Sequence, residues 1–152
     1  IEYVRMDELL RRSDVISLHC PLTPQTYHLI SRAAFHTLKD GVYIINTSRG
    51  ALIDSQALLD NIKSGKVGAA GLDVYEEEAD YFYEDVSSKV MSDDTLNLLL
   101  SQPNVLVTGH QAFLTDQALK AIAETTVDNL RCFFEGTKSP NRLLPMETAA
   151  AL

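Results

Sequence analysis

Residues 41–50 read GVYIINTSRG, and the fold is decided there. Val42–Ile45 is a short, apolar, β-rich run, the composition of a buried strand. Asn46, Thr47 and Ser48 turn the chemistry polar, and Arg49–Gly50 mark a turn. Beyond Ile53, Asp54 is placed to cap a helix running to about Ser64. The chain thus passes from a strand, through a polar loop carrying an arginine, into a helix. Ligands of open α/β sheets bind at the carboxyl edge of the strands, and Arg49 stands on that edge in this reading. An arginine in such a loop can equally make a surface ion pair, so the flanking segments must decide.

Working towards the amino terminus, Ser31 is placed to cap a helix through about Lys39, with Ala34, Phe35 and Leu38 inward and Gly41 ending it. Asp14–Cys20 (DVISLHC) reads as a strand. Pro21 and Pro24 stop it, because proline lacks the N–H that a central ladder needs. Pro21–Leu29 is therefore a loop at that strand's carboxyl end. Met6–Arg12 (MDELLRR) has the pattern of a short amphipathic helix with Leu9 and Leu10 on its apolar side.

Working towards the carboxyl terminus, Gly65 breaks the helix that follows Asp54. Val67–Val74 (VGAAGLDV) is a third strand, whose Gly68, Ala69, Ala70 and Gly71 are expected to admit close helix packing. The acidic, aromatic stretch Tyr75–Asp85 is too irregular for one element. Asp93–Ser101 reads as a helix with Leu96, Leu99 and Leu100 inward. Asn104–Thr108 reads as a fourth strand, ending at Gly109-His110. Thr115–Glu135 carries Leu119, Ile122, Ala123, Val127, Leu130 and Phe134 at helical spacing, Gly136 closes it, and the tail after Pro140 is expected to be loose. Nearly all-apolar strands alternating with helices indicate an α/β fold, a parallel sheet covered on both faces.

Composition narrows the function. A chain of 152 residues that is 45% hydrophobic can build one real core. A net charge of −8 argues against a nucleic-acid partner and against an anionic membrane surface. The two cysteines, Cys20 and Cys132, are far apart with no CxxC spacing, which suggests a reducing, cytoplasmic setting and no zinc or other metal site. No apolar run approaches membrane-spanning length. The first residue is Ile1 rather than Met, a hint that the chain begins mid-protein.

Cys20-Pro21, Thr47-Ser48-Arg49, Asp73 and His110 each fall at or just past the carboxyl end of an expected strand. In a parallel sheet those ends share one edge. A lone histidine after a strand is more often structural, a lone aspartate is commonly a cap, and Glu76–Glu78 is usually a solvated face. Four polar placements on one edge outweigh those separate readings.

The runs DVISLHCPLTPQTYHLI, GVYIINTSRGALIDSQALL, VGAAGLDVYEEE and NVLVTGHQAFLT resemble the D-isomer-specific 2-hydroxyacid dehydrogenases, over about Asp14 to Leu144. GHQAFLT and the acidic-aromatic insert after Glu78 are most similar to the D-lactate dehydrogenase branch. The resemblance implies a Rossmann-like sheet, NADH as hydride donor, and reduction of pyruvate to D-lactate. Arg49 matches the family's substrate arginine, whose planar fork can hold a carboxylate bidentately. His110 matches the acid/base, and Glu78 the carboxylate paired with it, which favours the charged imidazole. Glu76 and Glu77 are neighbouring alternatives, and the family spacing selects Glu78. Cys20, Pro21 and Thr26 match the loop along the cofactor's adenosine and ribose side. Thr47, Ser48 and Arg49 match its nicotinamide side, and Asp73 the acceptor for the carboxamide. Phe113 matches an aromatic near the substrate's small side chain.

The departures are as informative. No GxGxxG occurs, so the pyrophosphate loop and the ribose-binding acid that would separate NAD from NADP are missing. The resemblance therefore implies two parts. Residues 1–112 are the second half of an NAD-binding domain, and residues 113–152 are the return helix and tail leading towards a substrate domain. Such a chain is expected to bind NADH weakly or not at all, to turn over negligibly alone, and to self-associate or dimerise through an exposed sheet edge. Dehydrogenases of other D-2-hydroxy acids, an NAD-sensing corepressor-like binding protein and an inactive truncated fragment are the alternatives.

Overall fold

The computed structural model describes residues 1–78 and 92–143. The chain divides into two compact units, Ile1–Ala112 and Phe113–Leu152.

The first unit runs α1 (Met6–Arg12), β1 (Val15–Leu18), α2 (Arg32–Thr37), β2 (Val42–Asn46), a 3₁₀ turn (Gly50–Leu52), α3 (Ser55–Lys63), β3 (Val67–Leu72), α4 (Asp94–Leu100) and β4 (Val105–Val107). The strands form one parallel sheet in the order β1-β2-β3-β4. Helix starts follow from local chemistry: Ser31, Asp54 and Asp93 each accept an amide proton of the first turn, from Ala34, Ala57 and Leu96. The expected elements are all present; β1, β3 and β4 are a residue or two shorter at their ends, and β2 runs one residue longer, to Asn46. The 3₁₀ turn after Arg49 and a lone parallel bridge between Ile30 and Ile53 had no counterpart in the periodicity.

The expectation that both faces of the sheet are covered is corrected. Right-handed crossovers between strands in consecutive order all pass over the same face, and here one core cluster joins the helices to it. Ile16, Ile44 and Ala70 align across the sheet and are buried. They pack with Phe35, Leu58, Leu59, Leu96 and Leu99. The alternate residues point the other way: Val15 is 59% exposed, Tyr43 51% and Leu106 67%. The strands read as two-sided because that second face is apolar too.

Of the small residues of β3, Ala70 packs in the core with the helices, but Gly68 serves a different purpose from the one expected. A Cβ on Gly68 would lie 2.6 Å from the carbonyl oxygen of Gly41. Gly68 is the residue skipped in the pairing of Val42 with Val67 and Tyr43 with Ala69. The close approach is therefore to the turn entering β2, at a bulge, rather than to a helix.

The second unit holds α5 (Asp116–Phe134), capped by Thr115, with no residue buried. Leu119, Ile122, Val127, Leu130 and Phe134 on its apolar stripe are all exposed. Behind it the chain turns back, and Ser139 donates to the side-chain oxygen of Asn129. The remainder of the acidic stretch, 79–85, and most of the tail expected to be loose lie outside the described residues. No helix among the described residues is long and apolar enough to cross a membrane.

Candidate active site

The last aligned row of the sheet is Leu18, Asn46, Leu72 and Val107. Every loop of interest leaves from just beyond it, on one edge. Hydrogen bonds join neighbouring loops across that edge. The Ser48 hydroxyl donates to the Cys20 carbonyl at 2.7 Å. The Asp73 amide donates to the Asn46 carbonyl at 2.9 Å, and the His110 amide to the Asp73 carbonyl at 2.7 Å.

The β1 loop closes on itself. The Thr26 hydroxyl donates to the Pro21 carbonyl at 2.7 Å and accepts from the Thr23 amide at 2.8 Å. Pro21 lies exposed on the outside of that loop, and Cys20 is half-buried and packs against the core.

Asn46 shapes the β2 loop. It is the one buried asparagine of the sheet, 1% exposed. Its Nδ2 donates to the Arg49 carbonyl at 2.9 Å, and its Oδ1 accepts from the Ser48 amide at 3.1 Å. An Asx-type turn of this kind reverses the chain within three residues. It leaves Thr47 and Arg49 exposed, with the Arg49 guanidinium donating to the Ser48 carbonyl. Among the described residues Arg49 has no acidic partner. Next, Gly50 lies flat against the following loop, where a Cβ would come within 2.0 Å of the Tyr75 carbonyl carbon. Only glycine allows that approach.

Asp73 is 4% exposed and holds the β4 loop. Its carboxylate accepts from the Thr108 hydroxyl, the Gln111 amide at 2.8 Å and the Ala112 amide at 2.8 Å. Burial works against the charge, but those three donors, with His110 nearby, outweigh it and hold the carboxyl below the ordinary aspartate range. His110 adopts a left-handed backbone, φ +54°. Its Nδ1 lies 3.0 Å from Glu78 Oε1, with both side chains largely buried. The other oxygen of Glu78 accepts from the Tyr75 amide at 3.1 Å, so the turn 75–78 orients the carboxylate. Tyr75 is itself buried and donates its hydroxyl to Asp93 at 2.8 Å. Burial, and then that carboxylate, push its phenol well above the usual range.

Thr26, Ser48, Arg49, Asp73, Glu78 and His110 thus belong to one set of interlocked loops. Phe113 opens the second unit and is 52% exposed. Asn46 and Gly50 were read only as part of a polar turn, although an asparagine ending an apolar strand was a legible signal. Glu76 meets His28 at 2.7 Å instead of His110, a division of the three glutamates that no local pattern carries.

Comparison with known proteins identifies the family and the fold. Residues 1–112 match the family model described as D-isomer specific 2-hydroxyacid dehydrogenase, NAD binding domain. The D-lactate dehydrogenase of Escherichia coli is 54% identical over 95% of this chain and 44% of its own length. Among solved structures, a D-lactate dehydrogenase from Treponema pallidum superposes with a TM-score of 0.88 at 40% identity, over 94% of this chain and 43% of that one. The D-lactate dehydrogenase of Aquifex aeolicus, solved with NAD and lactic acid, gives 0.79 at 39% identity, over 89% and 41%. The chain spans less than half the length of these relatives. It belongs to the D-isomer-specific 2-hydroxyacid dehydrogenase family, and its residues 1–112 match that family's NAD-binding domain.

Proposed function

We propose that this chain contributes the substrate-anchoring and proton-transfer half of an NADH-dependent reductase that converts pyruvate to D-lactate. The observation that carries the reading is the His110–Glu78 pair, 3.0 Å apart. It stands on the same sheet edge as an exposed arginine with no acidic partner among the described residues. Reducing a 2-keto acid requires a cation for the carboxylate and an acid for the carbonyl oxygen, and the two groups answer those needs.

The residues present fit the nicotinamide end of NAD. A carboxylate has about four acceptor positions. The three donors on Asp73 leave one for an amide N–H, beside the exposed Thr47 and the half-buried Ser48. The cofactor when bound supplies the hydride for C2. Arg49 binds the keto acid's carboxylate and draws electron density from the adjacent carbonyl. His110, its Nδ1 turned to Glu78, gives a proton from Nε2 to the carbonyl oxygen, and the hydroxyl of lactate results. Glu78, 3.0 Å from Nδ1, holds the ring in place for that transfer. The match to relatives acting on lactate favours pyruvate over larger keto acids.

The test is consumption of NADH with pyruvate by this chain, by its His110→Ala variant, and by each mixed with a separately expressed amino-terminal half. Turnover is expected in the mixture and should fall about 10²–10⁴-fold with His110→Ala. Equal turnover with and without the imidazole would refute the assignment. Activity only on larger 2-keto acids would replace the substrate while keeping the chemistry.

A further inference from the structure

A second histidine–glutamate pair lies beside the first. His28 Nε2 is 2.7 Å from Glu76 Oε1, and both side chains are mostly buried. The Tyr27 ring stacks on the His28 imidazole, with centroids 4.0 Å apart, and its hydroxyl donates to the same Glu76 oxygen at 3.3 Å. The His28 backbone reaches in another direction, its amide donating to the Ala51 carbonyl at 2.8 Å. Ala51 belongs to the 3₁₀ turn that directly follows Arg49.

His28 therefore bonds both segments that matter for the site: the turn behind Arg49 through its backbone, and the acidic turn 75–78 through its ring. Those two segments also abut each other, where Gly50 packs on the Tyr75–Glu76 peptide. Glu78, two residues beyond Glu76, closes that acidic turn through its bond to the Tyr75 amide and faces His110 with its other oxygen. The backbone of His28 is left-handed, φ +47°, and among described non-glycine residues only His110 shares that feature. An L-residue stays in that region when its surroundings over-determine it. The bonds to Ala51 and Glu76 are what over-determine His28.

We infer that His28, with Tyr27, is a positioning residue: by holding Glu76 against the Arg49–Leu52 turn it sets where Glu78 presents its carboxylate to His110. It touches neither substrate nor cofactor in this assignment. The roles of Arg49 and His110 rest on the reductase reading, but the coupling of the two pairs does not, and it is read without turnover.

The probe is the His110 side-chain ¹⁵N signal in the full 152-residue chain, whose four histidines make the imidazole spectrum simple to assign. Glu78→Gln defines the shift of the His110 Nδ1 resonance when its carboxylate partner is lost. His28→Phe keeps the stack on Tyr27 and removes the bond to Glu76, and it should move the His110 signal most of the way to the Glu78→Gln position. His28→Gln retains an N–H donor and should leave the signal near its wild-type value. Should His28→Phe fail to fold, Glu76→Ala removes the same bond from the other side and should give the same displacement. An unmoved His110 signal in His28→Phe, or in Glu76→Ala where that is the variant that folds, overturns the inference. Equal displacement by His28→Gln and His28→Phe overturns it too, since a role in packing alone would then account for both. Failure of the reductase assay with the signal displaced as expected would refute the function and leave the coupling standing.

Discussion

Asp73→Asn isolates the hold that one buried carboxylate exerts on the His110 loop. Asn keeps the shape and one acceptor oxygen, so the Thr108 and Gln111 donors retain a partner. Its NH₂ group would face the Ala112 amide, which now donates at 2.8 Å to Oδ2, and two donors would oppose each other. Hydrogen bonds to charged groups contribute about 1.5–3 kcal/mol each, and neutral ones roughly half as much. One charged bond is lost and two are weakened, while the exposed Ala112 can turn its amide to water. The balance is a loss of about 2–3 kcal/mol from the loop. The loop can open without the core, so the sharper assay is hydrogen exchange at the Gln111 and Ala112 amides. Protection there should fall by roughly 30-fold or more, since 1.36 kcal/mol corresponds to about tenfold. The pH dependence has a definite sign. The folded carboxyl lies below the ordinary value of about 4. Its contribution is therefore complete above that value and fades as pH falls through the lowered folded value. The gap between wild type and Asn should be full at neutral pH and narrow in acid. A protection loss below threefold at neutral pH, or a gap of the same size in acid, would refute the account of the clamp.

The remaining predictions concern the supports of the same edge. Tyr75 is held neutral by burial and by Asp93, so its contribution is full below its unfolded value of about 10 and is lost as pH rises above it. Urea titrations should show alkaline destabilisation that Tyr75→Phe reduces, at a cost of about 1–2 kcal/mol near neutrality. Asn46→Ala removes both bonds that shape the Arg49 turn and should cost about 1–3 kcal/mol in the same assay; an unchanged midpoint would mean the turn forms without it. Gly50→Ala drives a methyl into the Tyr75 carbonyl and should cost at least about 1–3 kcal/mol, read as a lowered melting temperature. The one-sided sheet predicts an asymmetry between two apolar positions. Ile44→Ala should cost about 2–5 kcal/mol, whereas Leu106→Ser should stay within about 0.5 kcal/mol. Similar losses at both would contradict the exposed face.

Local chemistry was legible wherever a short stretch controls its own conformation. Asp54 and Ser31 were read as caps and are caps, because an N-cap bond spans three residues. The loop carrying Pro21 follows β1, as a residue without an N–H requires, although the strand already ends at Leu18. The alternation of apolar runs with helical periodicity defined a parallel sheet and, with it, one edge for Arg49, Asp73 and His110. The sequence could not say that one face of the sheet stays accessible. Val15, Tyr43 and Leu106 are as apolar as the buried residues beside them, and only the consecutive strand order sends the helices of the first unit to the other side. Nor could the residues alone tell which glutamate of Glu76–Glu78 meets which histidine, because those contacts join residues 48 and 32 positions apart; only the family spacing pointed to Glu78 for His110, and nothing pointed to Glu76 for His28. Three adjacent carboxylates have the same chemistry in sequence. Strand register and the tight turn at residues 75–78 aim one at His28 and another at His110, so the division of roles among them is a property of the tertiary structure.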